Sequence, residues 1–243
     1  MMTEFISDTE TSTADNIIAF RKRDEDSVLV GQEFSKKGKL YLTIKRIFDV
    51  TASCIGLVVL SPLLLITAAM IKAEDGGPVF FVQKRVGKDE KKFRMYKFRS
   101  MRLDAEKIHE SMKKELGETE VSFKLRDDPR ITRVGKILRR TSIDELPQLL
   151  NIIKGDMGIV GPRPLPTYEY EEERERYGKK YCERYYVQQG LTCYWQIDGR
   201  SEEMPFDERM QEDVKYAREA NIHKDLYIIL KTFGVVISGK GAC

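Results

Sequence analysis

An uncharged stretch, Val50 to Ile71, restricts the possible folds of this chain more than any other part of it. It holds 22 residues, and a helix rising about 1.5 Å per residue would just cross a hydrocarbon core of about 30 Å. Ser61 and Pro62 stand in its middle, where proline removes a backbone donor and clashes with the preceding turn. We therefore expect a kink or break there, which would leave two halves too short to span.

The charges on either side of this stretch carry information about its path through a membrane. Lys45 and Arg46 precede it, and basic residues also follow it: Lys72, Lys84, Arg85, Lys88, Lys91 and Lys92. Because basic flanks mark the cytoplasmic side, both ends of the stretch are expected there. A re-entrant helix-break-helix over about residues 47–71 satisfies this, and a single crossing does not. The flanks favour the re-entrant path, although proline-kinked spanning helices are common and stay an alternative.

The composition excludes several other classes of protein. The chain has 42 Lys and Arg against 39 Asp and Glu, and the resulting net charge of +3 does not indicate a nucleic-acid partner. Its four cysteines form no CxxC pair, so reduced thiols are expected and no structural zinc site. The first residues are acidic and polar, unlike a signal peptide. We interpret residues 1–39 as a mobile polar tail and residues 40–243 as one membrane-embedded domain.

The remaining patterns predict a mixed α/β fold, mostly helical with a small β-sheet. Val79–Val82 and Phe93–Phe98 resemble two strands of an antiparallel hairpin. Ala105–Leu116 has a helical composition. The stretch from Ile131 to Arg140 has one apolar face and many basic residues, which fits either a helix on an anionic bilayer surface or a core helix with a solvated side. Leu226–Ile237 is apolar but too short to span, so we expect it in the interface or against the re-entrant element.

Two neighbouring motifs carry the candidate chemistry. Ser142 to Asn151 is expected to open a helix, and Ser142 and Glu145 have capping-box spacing, which alone would explain the acidic pair Asp144 and Glu145. Gly155 to Pro164 follows within one helix length and supplies a rigid loop with Arg163.

Together these motifs predict a site for phosphate groups. A helix N-terminus can receive a pyrophosphate, and Arg163 with Lys97 or Arg99 could neutralise the remaining charge. A carboxylate beside such an anion requires a divalent cation between them, and Mg²⁺ characteristically bridges carboxylates and phosphates. The acidic pair beside this phosphate site therefore predicts Mg²⁺.

From about Leu40 onward the sequence resembles the bacterial sugar transferase family, the monotopic phosphoglycosyl transferases, in its short catalytic form. Each matching motif is modest alone, but their order and spacing are highly specific. The matching stretches are Lys45–Asp49, the apolar segment with Ser61 and Pro62, Tyr96–Met101, Arg140–Asn151, Lys154–Pro164, Gly190–Thr192, Trp195–Gln196, Gly199–Arg200 and Ser238–Ala242. Gly158, Cys193 and Cys243 depart from the family pattern, and none of them belongs to the acidic pair.

The resemblance implies an enzyme that transfers a sugar 1-phosphate from a UDP-sugar to polyprenyl (undecaprenyl) phosphate. Asp144 and Glu145 match the catalytic acidic dyad of the family. Asp144 would attack the β-phosphate and expel UMP, and the lipid phosphate would then take the phosphosugar from the carboxylate. Glu145 would assist proton handling or metal binding, and Asp144 would also be the ligand of Mg²⁺.

The resemblance also implies further residues and a location. Arg163 is the first candidate contact for the nucleotide or phosphate, followed by Lys97 and Arg99 and then Arg200. Ser61 and Pro62 would mark the break of the re-entrant helix. The protein would lie in the bacterial inner membrane, among its lipids, with its catalytic face in the cytoplasm and a role in initiating exopolysaccharide or capsule synthesis.

Two other hypotheses stay open. The chain could be a non-catalytic, single-pass membrane adaptor whose basic cytoplasmic face binds anionic lipid or a partner protein. Alternatively, the substrates are the same but both carboxylates bind metal, and the lipid phosphate attacks directly in one step. No residue type encodes the sugar, so galactose, glucose and an N-acetylated hexosamine all remain candidates.

Overall fold

We analysed a computed structural model, which describes residues 38–105, 108, 128–197 and 204–238. By its contacts the chain divides into residues 1–42 and 43–243. The described part of the first unit is residues 38–42, where the first helix begins. The predicted tail lies almost entirely outside the described residues, as does most of the predicted helix Ala105–Leu116. Apart from the first residues of that helix, all further structure concerns the second unit.

The apolar stretch lies within one long helix, α1, from Lys39 to Asp75. The backbone remains helical through Pro62, where the sequence predicted a kink or break. A local hydrogen bond explains this continuity: the Ser61 hydroxyl donates to the Val58 carbonyl at 2.8 Å. This carbonyl lies four residues before Pro62 and would otherwise lose its partner, because proline has no N–H. Ser61 and Pro62 thus form a locally satisfied pair within α1, and the re-entrant path stays a prediction.

Helix α1 leaves most of its apolar surface uncovered. Within the described part of the chain it is the one helix long and apolar enough to cross a membrane, and only 11% of its most apolar window is buried. Its buried positions include Asp49, Ser53, Thr67 and Ile71, which follow a helical period. One stripe of α1 therefore packs against the protein, and the remaining apolar surface faces outward.

The predicted hairpin is confirmed and is longer than expected. Strand β1, Phe80–Val86, pairs in antiparallel register with strand β2, Lys92–Phe98, so that Phe80 lies opposite Phe98. A 3-10 turn, Lys88–Glu90, connects the two strands. The hairpin carries Lys97 near the end of β2, on the side of the protein where the acidic motif lies.

The acidic motif and the Gly155–Pro164 loop lie between short elements. Helix α2, Arg133–Arg140, precedes a 3-10 turn, Ile143–Glu145, and helix α3, Gln148–Lys154. Strand β3, Gly158–Val160, then pairs in parallel with β4, Gly190–Thr192. Helix α2 buries Gly135 and Leu138 in the core, although Ile137 is 54% exposed. Its packing fits the core-helix alternative, and a contact between α2 and a bilayer stays a prediction.

The second half of the chain is mainly helical. The elements that follow β3 are, apart from β4, helix α4 (Thr167–Tyr177), a 3-10 turn (Cys182–Tyr185), α5 (Tyr194–Ile197), α6 (Phe206–Glu219) and α7 (Ile222–Ser238). Lys45 of α1 and Asp225 of α7 form an ion pair at 3.0 Å, so the two apolar helices are in contact. Helix α7 leaves several large apolar side chains exposed: Leu226, Tyr227, Leu230, Phe233 and Val236. The predicted fold class, mostly helical with little sheet, is confirmed for the described residues.

A backbone contact fixes the loop that follows β3. A Cβ atom on Gly161 would lie 2.1 Å from the Gln188 carbonyl oxygen, and one on Gly190 would lie 2.1 Å from the Gly161 nitrogen. Two chain segments thus approach each other closely enough to exclude any side chain. Glycine at both positions therefore determines where the loop with Arg163 begins.

Gly161→Ala is expected to lower the free energy of unfolding by about 3 kcal/mol or more, because backbone atoms on both sides must move. Gly234→Ala is the matched control, since nothing lies within 4 Å of a Cβ added to this glycine of α7. That change should raise stability by about 0.5–1 kcal/mol. Thermal unfolding of both variants in detergent measures the difference, and equal stability of the two would contradict the packing described here.

Candidate active site

The acidic pair lies in a tight turn instead of at the start of a helix. Ser142 has a left-handed backbone, with φ at 55°, and its side chain caps nothing. Asp144 and Glu145 follow in the 3-10 turn, and regular α-helix begins only at Gln148, after Pro147. The predicted helix start at Ser142 is therefore wrong: the left-handed Ser142 lies before the pair, and Pro147 separates the pair from α3. Positive charge at this site comes from side chains, not from a helix N-terminus.

Glu145 is held by two cations from distant parts of the chain. Lys97 donates from its Nζ to Glu145 Oε1 at 2.7 Å, and Arg163 donates from its Nη2 to the same oxygen at 2.7 Å. The three side chains are 16% to 25% exposed, so water screens these pairs only in part. The fold thus brings together a residue of β2, the acidic turn and the loop after β3. Sequence analysis had selected all three residues.

Asp144 is buried beside these cations but is not paired with them. The residue is 8% exposed, and no hydrogen bond or ion pair of its carboxylate is found within the described parts of the chain. Lys97, Arg139 and Arg163 lie close enough to attract its charge. The two adjacent acids therefore differ in environment: Glu145 is occupied, and Asp144 is available to another group.

Because of this difference, the pKa of Asp144 is raised and the pKa of Glu145 is lowered. Burial raises the pKa of Asp144; Lys97 opposes the rise, and the negative Glu145 adds to it. Burial alone would also raise the pKa of Glu145, but Arg163 and Lys97 together hold it well below its usual value. Glu145 is consequently a permanent anion at neutral pH. Titratable groups with pKa values displaced apart in this way are typical of catalytic sites.

Arg85 is a further cation at this site that sequence reasoning did not select. Its Nη1 donates to the Pro164 carbonyl at 2.7 Å, so it holds the loop that carries Arg163. Burial lowers the pKa of Arg85 to about 10, and the nearby Arg163 contributes to this shift. In the sequence Arg85 was only one of several basic residues after the apolar stretch. No signal in the sequence distinguished Arg85, because the predicted strand ended at Val82, whereas β1 continues to Val86.

Arg99 and Arg200 were also predicted to contact the substrate, and the structure describes only the first of them. The Arg99 guanidinium forms a bidentate pair with Asp75, with Nη1 at 2.5 Å from Oδ2, and its Nε donates to the Pro78 carbonyl at 2.6 Å. Arg99 thus joins the end of α1 to the hairpin and is not brought into contact with the acidic pair. Arg200 lies outside the described residues. Substrate binding by either residue stays a prediction.

The side chains at the site can be compared with the ligands that the predicted Mg²⁺ would need. Across the described residues, no group of three or more His, Cys, Asp or Glu side chains could hold a metal ion. Mg²⁺ commonly takes only one or two carboxylates and fills its other positions with substrate phosphates and water. Asp144 fits that mode because its oxygens have no partner among the described residues, whereas Glu145 is occupied by Lys97 and Arg163.

The fold and the site define a helix-rich protein with an exposed apolar helix and a carboxylate pair set among partly buried cations. Comparison with known proteins identifies its family. Residues 40–239 match the family model described as "Bacterial sugar transferase". The chain belongs to the bacterial sugar transferase family.

Three relatives are 38% to 45% identical to the chain over the aligned residues. "Galactosyl transferase CpsE" of Streptococcus agalactiae serotype III (strain NEM316) is 45% identical over 83% of this chain and 44% of its own length. "Undecaprenyl-phosphate galactose phosphotransferase" of Salmonella typhimurium (strain LT2) is 38% identical, over 82% and 41%. "Exopolysaccharide production protein ExoY" of Sinorhizobium fredii (strain NBRC 101917 / NGR234) is 38% identical, over 82% and 87%. The chain thus spans less than half of the first two relatives and most of the third.

Proposed function

We propose that this protein transfers a sugar 1-phosphate from a UDP-sugar to polyprenyl phosphate and releases UMP. The observation that carries the proposal is the divided acidic pair, in which Glu145 is held by Lys97 and Arg163 while Asp144 has no partner among the described residues. The printed names of relatives support the substrates, since they include an undecaprenyl-phosphate galactose phosphotransferase and a UDP-galactose-lipid carrier transferase. This reaction would start the assembly of an exopolysaccharide or capsule.

The proposed route has two displacements at the same phosphorus. A carboxylate oxygen of Asp144 attacks the β-phosphorus of the donor, the bond from that phosphorus to the bridging oxygen breaks, and UMP leaves. An oxygen of the lipid phosphate then attacks the aspartyl-bound phosphorus, and the carboxylate leaves. Electrons and charge balance without an external proton. Lys97 and Arg163 offer positive charge to the diphosphate beside Glu145, which keeps both cations in place.

Asp144 would also hold Mg²⁺ together with oxygens of the donor diphosphate. When bound, the ion would supply positive charge that lets two anions approach each other. The Asp144 carboxylate is suited to this role because it has no partner within the described segments, and its two oxygens could serve the ion and the phosphorus separately.

We further propose that α1 bends at Ser61 and Pro62, so that it enters and leaves the membrane on the same side and the site lies at the cytoplasmic face of the inner membrane. Near the start of α1, Arg46 donates to the carbonyls of Ile152 and Ile153. Near its end, Glu74 accepts from the Arg133 N–H and Asp75 pairs with Arg99. Residues of one compact unit, 43–243, therefore bind α1 at Arg46 and again at Glu74 and Asp75. A simple crossing would place parts of that polar unit on opposite sides of the bilayer.

A labelling experiment tests the covalent route. Incubation with a UDP-sugar labelled in the sugar, without lipid acceptor, should give labelled protein and an equal amount of UMP. Addition of polyprenyl phosphate should then remove the label from the protein. Direct attack by the lipid phosphate predicts neither product without acceptor, and a non-catalytic adaptor predicts no transfer even with acceptor present. Either result would overturn the proposal.

The same assay can identify the sugar. Relatives carry names that specify galactose in some cases and N-acetylgalactosamine in others, so the family alone does not set the donor. A panel of UDP-galactose, UDP-glucose and UDP-N-acetylhexosamines, followed by UMP release, would rank the donors for this chain.

A further inference from the structure

A buried ion pair lies directly behind Arg163 and has no part in the chemistry proposed above. Arg184, in the turn Cys182–Tyr185, donates from Nη2 to Asp213 Oδ2 of α6 at 2.7 Å. The two side chains are 0% and 1% exposed. Burying two charges is expensive, and apolar residues of similar volume often stabilise a core as well or better. Packing alone therefore does not account for this pair.

The ion pair contacts both polar groups of the Arg163 backbone. Arg184 Nη2 also donates to the Arg163 carbonyl at 2.6 Å. On the other side of the residue, the Arg163 N–H faces the Asp213 carboxylate closely enough to favour its charged form. Pro162 and Pro164 restrict the backbone on either side of Arg163. Its main chain is thus fixed by two prolines and two buried charges.

We propose that Arg184 and Asp213 are positioning residues that orient Arg163 toward Glu145, and we name this pair the Arg163 clamp. The proposal rests on the proposed function, in which Arg163 and Lys97 supply charge to the donor diphosphate. A long, flexible arginine reaches one carboxylate oxygen reproducibly only when its backbone is held. Apolar side chains could fill the same volume, but they could not hydrogen-bond the Arg163 main chain.

The test uses the full chain in detergent and a clamp variant, in which both charged residues of the Arg163 clamp are replaced by apolar ones. In Arg184→Met/Asp213→Leu, both charges are removed together, so neither is left buried alone. A double-mutant cycle of Arg163→Met and Glu145→Gln, read by thermal unfolding, measures the coupling of these two residues. We expect a clear coupling in the native background and at most half of it in the clamp variant. Unchanged coupling would overturn the proposal.

Kinetics provide a second readout. The clamp variant should lose about 30-fold or more in kcat/KM for the UDP-sugar, and adding Arg163→Met should cause little further loss, because both changes act through the same guanidinium. Additive losses would show that Arg184 and Asp213 act independently of Arg163, and the proposal would then be wrong. Absence of transfer by the wild-type protein would refute the proposed function, while the coupling measurement would still decide on the clamp.

Trp195→Phe is the matched control. Trp195 donates from Nε1 to the other oxygen of Asp213, Oδ1, at 3.2 Å. This substitution removes a hydrogen bond from the same carboxylate without removing the contacts to Arg163. We expect a lower unfolding temperature but a kcat/KM within about 3-fold of wild type. If the clamp variant fails to fold, Arg184→Met alone replaces it in both measurements, because it removes the hydrogen bond to the Arg163 carbonyl and the remaining carboxyl of Asp213 can be neutralised by a proton. The same losses are expected, and the same results would contradict the proposal.

Discussion

Asp144→Asn should reduce transfer of the sugar phosphate by at least about 10³-fold and, at the same time, raise the unfolding temperature. The loss of activity follows because an amide cannot replace the attacking carboxylate. The gain in stability follows because burial raises the pKa of Asp144, so that its charge destabilises the fold once the pH exceeds this pKa. UMP release and thermal unfolding at neutral pH check the two effects on the same preparation.

The sign of the stability effect can be checked through its pH dependence. The folded protein binds the Asp144 proton more tightly than the unfolded chain does, so the penalty appears as the pH rises through the interval between the two pKa values. The stability difference between Asp144→Asn and wild type should therefore shrink in acid. Asp207→Asn serves as the control. Asp207 lies in α6 and pairs with Lys180, so its ion pair includes neither residue of the acidic pair. Full activity of Asp144→Asn would refute the assignment of the nucleophile.

Glu145→Gln should have the opposite effect on stability. Arg163 and Lys97 hold the pKa of Glu145 below its usual value, so the charged carboxylate stabilises the fold. Loss of one partner of a buried pair costs about 3–5 kcal/mol, and we expect about 3 kcal/mol here because the pairs are partly exposed. For a domain of this size this corresponds to a decrease of about 6–12 °C in Tm. Activity should fall by about 100-fold, since both cations lose their anchor and become free to pair with Asp144.

The pH dependence of the stability difference between wild type and Glu145→Gln provides a control for this prediction. Because the folded pKa of Glu145 is depressed, its contribution to stability is complete above the unfolded value of about 4.3 and is lost as the pH falls below it. The wild type and Glu145→Gln should therefore differ most at neutral pH and converge in acid. Opposite signs for Asp144→Asn and Glu145→Gln are the central expectation, and a shift of both unfolding temperatures in the same direction would contradict the divided pair.

Much of the site could be predicted from the sequence because the relevant motifs are local. The order of the acidic motif, the Gly-Pro-Arg-Pro loop and the Tyr96–Met101 stretch identified Asp144, Glu145, Arg163 and Lys97. The hairpin was predicted from two short apolar runs and a turn. The helix start at Ser142 was not predicted correctly, because capping-box spacing does not reveal that Ser142 has a left-handed backbone.

The sequence could not show which of Lys97 and Arg99 contacts the acidic pair. Both lie in or next to β2, two residues apart, and their side chains were equally plausible contacts for phosphate. In the fold Lys97 meets Glu145, whereas Arg99 meets Asp75. Arg85 was missed for the same reason, since its contact with the Pro164 carbonyl joins segments that are 79 positions apart.

The sequence by itself therefore determined the local features of the protein: the apolar segment with a proline, the adjacent acids, the glycines that permit close backbone approach and the arginine between two prolines. Folding set which of them meet. Ion pairs depend on the distance between charged atoms, and the partners of Glu145 lie 48 and 18 positions away along the chain. The different environments of Asp144 and Glu145, and the buried charges that hold Arg163, arise only when β2, the acidic turn, the loop after β3 and α6 pack together.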